Sequence, residues 1–214
     1  MPIRSLLLVL CQLAFVGCSS IPRPEQDAAT IRLPVRFHLL AASANGAVTT
    51  TLSERDITTL LAVANGIWRQ AGIEWYAKRT VRENSPAAAQ FDSILANEIR
   101  GPRADLTGFI PRGELLRPGW NVFLIRDFGR IGGGMFRPGI LGVLLAERGF
   151  GFELPATGRG GATLAHELGH SLGLEHVACD SPRDIMTNGY WSPTASSSLT
   201  AERIVRARKQ AETE

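Results

Sequence analysis

Cysteine is scarce in this chain, and its net charge is small. Only three cysteines occur among 214 residues, at positions 11, 18 and 179. Two of them lie in the N-terminal 20 residues, so Cys179 alone remains for the body and no intramolecular disulfide framework is expected. We expect Cys179 to be a small buried thiol, with zinc ligation and a redox switch as the alternatives. The formal net charge is only +3, and the basic residues are not concentrated in one stripe, so the sequence gives no case for nucleic-acid binding.

Two common ligand-binding signatures are also missing. The glycine-rich residues 129–142 contain neither GxxxxGK[ST] nor a GxGxxG followed by a helix, which argues against a phosphate-binding loop. Asp92, Glu98 and Asp105 are acids of the kind found in structural calcium sites, but residues 82–117 hold no EF-hand-like loop. Structural calcium therefore has no support in the sequence, and we expect these acids to be solvated.

The N-terminus predicts export and lipid anchoring. Arg4 precedes an apolar run that is too short to span a bilayer comfortably, as in a signal peptide. The sequence FVGC at residues 15–18 resembles a bacterial lipobox, although Phe15 stands where leucine is usual. Residues 1–17 would then be the signal peptide, Cys18 the lipidated residue, and residues 18–30 a lipidated tether. The alternatives are an uncleaved anchor and an ordinary signal peptide with a chance cysteine.

This resemblance to lipoproteins implies a place in the cell envelope. Stable anchoring needs more than one lipid chain, which such a cysteine carries on its sulfur and its amino group. Ser19 resembles the pattern sorted to the outer membrane of Gram-negative bacteria. The membrane is thus an expected partner through the N-terminal lipid, while the oligomeric state stays open.

Residues 31–214 have the pattern of one α/β domain. Alternation over residues 33–39 predicts a strand, and helical spacing of apolar residues after Ser53 predicts a long helix ending near Gly72. A strand over residues 73–77 completes a β-α-β unit. His38 falls on the alternate face of the first strand, where we expect partial exposure and not metal binding.

Later segments predict two more strands, a loop and a last helix. Residues 121–125 and 142–147 are expected to be strands, and residues 129–139 a loop. Thr200 is the expected N-cap of a final helix whose arginines, Arg203, Arg206 and Arg208, form a solvated face.

Residues 166–176 read HELGHSLGLEH and carry the strongest chemical signal. On a helix, His166 and His170 project from one face about one turn apart, so both can bind one metal ion. Glu167 stands where HExxH motifs place a general base. Gly173 permits a sharp chain reversal that returns His176 as a third ligand. Three protein ligands with one open position are typical of catalytic zinc.

The same residues match the full HExxHxxGxxH signature of the metzincin metallopeptidases. Met186, in the sequence DIMT, resembles the methionine turn of that family. The resemblance implies a mixed sheet with a long backing helix and an active-site helix over residues 31–175. Residues 142–147 would be the edge strand beside the active cleft, and the loop before it, residues 129–139, is either mobile or close to substrate. A small C-terminal part over residues 176–214 would carry the methionine turn and a terminal helix. Some metzincins place an oxyanion-stabilising tyrosine two residues after this methionine; here Tyr190 comes four after.

The resemblance implies a zinc-dependent endopeptidase that hydrolyses proteins or peptides at the cell envelope. One zinc ion would be held by His166, His170 and His176, with Glu167 as general base. Val177, directly after the third histidine, matches no named branch, so the subfamily is not assigned. Two alternatives remain, a peptidoglycan-directed zinc amidase and a non-catalytic zinc-binding lipoprotein.

Overall fold

The computed structural model describes residues 29–43, 45–86, 89, 108, 110–115, 118–127, 134–137, 142–149, 152–153, 158–177, 183–187 and 197–213. Several sequence predictions lie outside these residues, namely those for the signal peptide, Cys18, Asp92, Glu98, Asp105, Cys179 and Tyr190. Among the helices of the described residues, none is long and apolar enough to cross a membrane.

The described residues form a mixed sheet with helices, and the predicted α/β fold class is confirmed. In chain order the elements are β1 (Ile31–Ala41), α1 (Glu54–Trp68), β2 (Ile73–Asn84), α2 (Arg112–Leu115), β3 (Trp120–Asp127), β4 (Gly134–Arg137), β5 (Gly142–Gly149), β6 (Phe152–Glu153), α3 (Gly158–Ser171) and α4 (Ala201–Ala211).

The sheet has the strand order β2-β1-β3-β5-β4, and β6 pairs with the end of β5. Strands β2, β1, β3 and β5 are parallel neighbours, whereas β4 and β6 run antiparallel to β5. The predicted β-α-β unit at the start of the domain is present, since β1 and β2 are parallel neighbours and α1 connects them. Parallel strands covered on both faces read as continuous apolar runs, and β3 fits this because six of its eight residues are buried.

The edge of the sheet differs from the prediction. The strand predicted over residues 142–147 is present as β5, but it is an inner strand because β4 covers its outer edge. Strand β4 itself lies in the segment that the glycines indicated as a loop. A four-residue strand gives little alternating pattern, and the strong turn signal of the surrounding glycines hides it. Among the described residues, no further strand pairs with the outer edge of β4.

Helix α1 has the N-terminal cap and the buried apolar face that its sequence predicts. Ser53 caps it as predicted, and Ser53 and Asp56 form a capping box in which each side chain accepts a hydrogen bond from the other's backbone N–H. The apolar stripe of the helix is buried, with Ile67 and Trp68 both fully enclosed. Asn65 joins the helix to β2 through two 2.8 Å hydrogen bonds with the backbone of Trp75.

Both faces of the sheet are buried, which corrects the expectation for His38. The main core lies on the face that carries Val35, Phe37 and Leu39, where α1 and α3 pack. Strand alternation places His38 on the opposite face, where its ring stacks on Phe123 with centroids 4.5 Å apart. His38 is 1% exposed rather than partly exposed. Alternation alone predicts one solvated face, but here both faces are covered.

Candidate metal centre and active site

Helix α3 carries the first half of the site and is held rigidly against α1. His166 and His170 lie one turn apart on this helix, and their ring centroids are 4.9 Å apart. The indole Nε1–H of Trp68 donates a 3.2 Å hydrogen bond to the carbonyl of Ala165. Leu164 and Leu168 are fully buried on the sheet side of the helix. The helix therefore fixes the two histidines relative to the sheet.

The chain reverses direction at Gly173, as the sequence predicts. Helix α3 ends at Ser171, and Gly173 has a φ of +74°, which a residue with a side chain rarely adopts. The amide of Gly173 donates to the carbonyl of His170, and the amide of Leu174 donates to that of Gly169. These bonds close the helix end and send the following residues back toward α3. His176 is thereby returned to the two helical histidines.

The three histidines converge through the same ring nitrogen. The Nε2 atom of His176 lies 3.1 Å from the Nε2 atoms of both His166 and His170. With Zn–N bonds of about 2.0–2.1 Å, neighbouring ligands of a tetrahedral zinc lie roughly 3.3 Å apart, so this triad fits the ion. These residues form a group that could hold a metal ion.

Backbone carbonyls fix the orientation of two of these rings. The Nδ1–H of His166 donates to the carbonyl of Ile185 at 2.6 Å, and that of His170 donates to the carbonyl of Leu174 at 2.8 Å. Each ring then presents Nε2 with its lone pair toward the centre, which is the usual outer-shell arrangement of a metal-binding histidine. Burial lowers the pKa of His166 to about 4 and also lowers the pKa of His170 and His176. All three rings are thus neutral at pH 7, the form that binds metal.

Glu167 lies beside the triad under the edge strand. Its side chain is packed so closely against Gly134 of β4 that a methyl group there would lie 2.8 Å from Cγ and Oε1. Burial raises the pKa of Glu167 to about 8. At that pKa the carboxyl is mostly protonated at pH 7, and a divalent cation held by the three histidines would lower the pKa and favour the carboxylate that a general base requires. On the same side, the ring of Phe136 stacks on His170 with centroids 6.2 Å apart.

Met186 packs against helix α3 and against the segment that follows His176. Its side chain is fully buried, and a Cβ added at Gly169 would lie 2.5 Å from its sulfur. Its carbonyl accepts a hydrogen bond from the amide of Val177, the residue after the third histidine. Met186 therefore supports both α3 and the segment that carries His176.

Asp184 and Arg203 are supporting residues that no local sequence pattern indicates. The carboxylate of Asp184 accepts a 2.8 Å hydrogen bond from the amide of Met186 and pairs with Nε of Arg203 at 3.1 Å. Arg203 also donates to the carbonyl of Glu175, next to His176. The expectation of a solvated arginine face is wrong for Arg203, and also for Arg208, which donates to the carbonyl of Ala71. Helix periodicity places both on a polar face, but contacts distant in sequence bury that face.

Replacing Arg203 with methionine is expected to lower the free energy of unfolding by about 3 kcal/mol, because it leaves Asp184 with an uncompensated buried charge. The side chains of Arg203 and Asp184 are 15% and 6% exposed. Arg206 on the same helix is 57% exposed and supplies a matched control, for which Arg206→Met should change stability by less than about 0.5 kcal/mol. Urea denaturation of both variants measures the difference, and equal losses would contradict the role of Arg203.

Comparison with known proteins shows likeness of fold at low sequence identity. No family model and no curated protein sequence gives a significant match. Among solved structures, the chain is similar to mature mirolysin from Tannerella forsythia in complex with a cleaved peptide, with 17% identity, a TM-score of 0.49, and coverage of 85% of this chain and 91% of that one. It is also similar to metalloproteinase-II from Bacteroides fragilis, with 19% identity, a TM-score of 0.45, and coverage of 86% and 55%.

A third similar structure is described as a chaperone-substrate complex. The identity is 12% and the TM-score 0.52, over 86% of this chain and 34% of that one. The chain thus spans about half the length of the second matched structure and a third of this one. At such identities the likeness concerns the fold alone, and the chemistry must be argued from the residues of this chain.

Proposed function

We propose that this chain is a metzincin-type zinc endopeptidase that cleaves proteins or peptides at the cell envelope. The observation that carries this proposal is the convergence of three neutral imidazoles on one point, with Nε2 atoms 3.1 Å apart and the Glu167 carboxylate beside them. The envelope location rests on the signal-like and lipobox-like residues 1–20 of the sequence.

The residues of the site have distinct roles in this mechanism. His166, His170 and His176 would hold the zinc, which when bound polarises the scissile carbonyl and lowers the pKa of coordinated water. Glu167 accepts a proton from the attacking water and then donates it to the leaving amine. Close packing against Gly134 holds this side chain in one place.

The outer edge of β4 is the proposed place for the substrate. It lies at the end of the sheet, and its residues Gly134 and Phe136 flank Glu167 and His170. An extended peptide can pair with the main chain of such an edge as an added strand. A substrate bound in this way would run past the metal centre with its backbone carbonyls close to it, which favours cleavage within a chain.

Metal removal and a broad substrate set test this function together. Purified protein loaded with zinc is incubated with denatured proteins and, separately, with muropeptides, and new termini are identified by mass spectrometry. We expect internal peptide bonds of the proteins to be cut, the cutting to stop with 1,10-phenanthroline, and added Zn²⁺ to restore it. Cleavage of muropeptide amides alone would favour the amidase, and no cleavage by zinc-loaded protein would favour a binding role.

A further inference from the structure

A second group of metal-binding side chains lies in the sheet, apart from the three histidines. It consists of His38 of β1, Glu83 of β2 and Glu114 of α2, whose donor atoms all lie within 4.8 Å of one another. The Nδ1 atom of His38 is 3.3 Å from Oε2 of Glu83, and its Nε2 atom is 3.9 Å from Oε2 of Glu114. The side chains are only 1%, 17% and 14% exposed.

A bulge in β2 brings Glu83 to the same face as His38. Val35 pairs with Ala77, but Arg36 pairs with Arg79, so Lys78 is an extra residue in the register. One inserted residue reverses which side chains of the later strand face each side of the sheet. After the bulge, Glu83 pairs with Leu40 and shares the face of His38, away from the main core and from α3. The group is therefore on the opposite face of the sheet from the histidine triad.

Asn121 determines which nitrogen of His38 carries the proton. The Nδ2 of Asn121 donates to the carbonyl of Gly119 at 2.7 Å, which leaves its Oδ1 to face Nε2 of His38 at 3.2 Å. Because Oδ1 only accepts hydrogen bonds, Nε2 must be the N–H of the ring. Nδ1, on the other side of the ring, faces the carboxylate of Glu83 at 3.3 Å.

A positive charge between these groups would stabilise them, because a buried imidazole nitrogen lies 3.3 Å from one carboxylate oxygen and a second carboxylate belongs to the same cluster. Neither Nδ1 of His38 nor Oε2 of Glu83 makes a hydrogen bond within the described part of the chain, so both atoms can serve as ligands. The 3.3 Å separation of these atoms equals the spacing expected between two ligands of one tetrahedral ion, roughly 3.3 Å.

We infer that His38, Glu83 and Glu114 form a second, structural site for a divalent transition metal. One imidazole with two carboxylates suits Zn²⁺, Mn²⁺ or Fe²⁺, whereas calcium and magnesium sites are built from oxygen ligands alone. The hydrogen bond from Nε2–H to Asn121 matches the outer-shell partner that metal-binding histidines have. A metal here would tie α2 to β1 and β2 on the face of the sheet opposite the catalytic helix.

Zinc stoichiometry tests this inference directly. The purified full chain is dialysed against Zn²⁺, and metal per chain is measured by plasma mass spectrometry. We expect two zinc ions in the natural protein, one in His38→Ala, and one in His166→Ala. Glu83→Gln keeps the side-chain shape but removes a charged ligand. It should lower the zinc affinity of the second site by at least roughly 10–100-fold, the effect of losing a residue that only hydrogen-bonds to a ligand.

Glu74→Gln is the matched control, since Glu74 is a half-exposed carboxylate on the same strand and pairs with Arg32. It should leave two zinc ions bound. Because zinc is counted and not inferred from cleavage, the second site can fail or hold independently of the proposed function. One zinc in the natural protein, lost only in His166→Ala, would overturn the inference and identify the His38 group as an ion pair.

Discussion

Glu167→Gln is expected to lower kcat/KM for peptide cleavage by about 10²–10⁴-fold, which corresponds to roughly 3–5 kcal/mol in the activation free energy. The amide has nearly the same shape as the carboxylate but cannot accept the proton of the attacking water. The metal content should not change, because the proposed ligands are the Nε2 atoms of His166, His170 and His176. Kinetics on a fluorogenic peptide, together with metal analysis, measure both effects.

Glu175→Gln is the control for this substitution. The side chain of Glu175 is 84% exposed and lies one residue before the third histidine, so the charge is removed near the site but outside it. Its activity should stay within about twofold of the natural protein. If Glu167→Gln kept full activity with zinc bound, the general-base role of Glu167 would be wrong.

Gly161→Ala is expected to lower the free energy of unfolding by about 1–3 kcal/mol or more, because α1 and α3 are already in contact at this glycine. An added methyl group would lie 2.8 Å from the backbone carbonyl oxygen of Leu60 and would overlap the side chain of Val63. A backbone atom cannot move aside without shifting the helix. Since α3 carries His166 and His170, the substitution should also weaken metal binding.

The same substitution at Gly66 should have the opposite sign. Gly66 lies on the exposed side of α1, and a methyl group there would meet nothing within 4 Å. Alanine should therefore raise the free energy of unfolding by about 0.5–1 kcal/mol, since glycine is the poorer helix former. Thermal denaturation of the two variants compares them directly. Equal shifts in Tm would show that close packing of the helices at Gly161 is unimportant.

The elements predicted from the sequence are those in which local chemistry and burial agree. Ser53 and Thr200 each cap the helix that follows, and the predicted strands are present at β1, β2, β3 and β5. The predicted β2 ended at residue 77, but the strand continues to Asn84. Its second half is polar and largely exposed, so no apolar alternation marks it.

The edge strand was missed for a different reason. Residues 134–137 are few, and Gly134 looks like part of a flexible loop. The reason for a glycine at position 134 is seen only in the folded protein, where the absence of a side chain leaves room for Glu167. A glycine in a strand often marks such a close approach, but the sequence does not say which residue approaches.

The spacing of His166, Glu167, His170 and His176 and the turn at Gly173 could be predicted from the sequence, because helix geometry and the conformational freedom of glycine act over a few residues. Features that depend on contacts between distant segments could be seen only in the folded protein. These contacts include the pairing of Asp184 with Arg203 and the bulge at Lys78 that turns Glu83 toward His38. A register shift leaves no mark in the local pattern, since it is fixed by how one strand pairs with its neighbour.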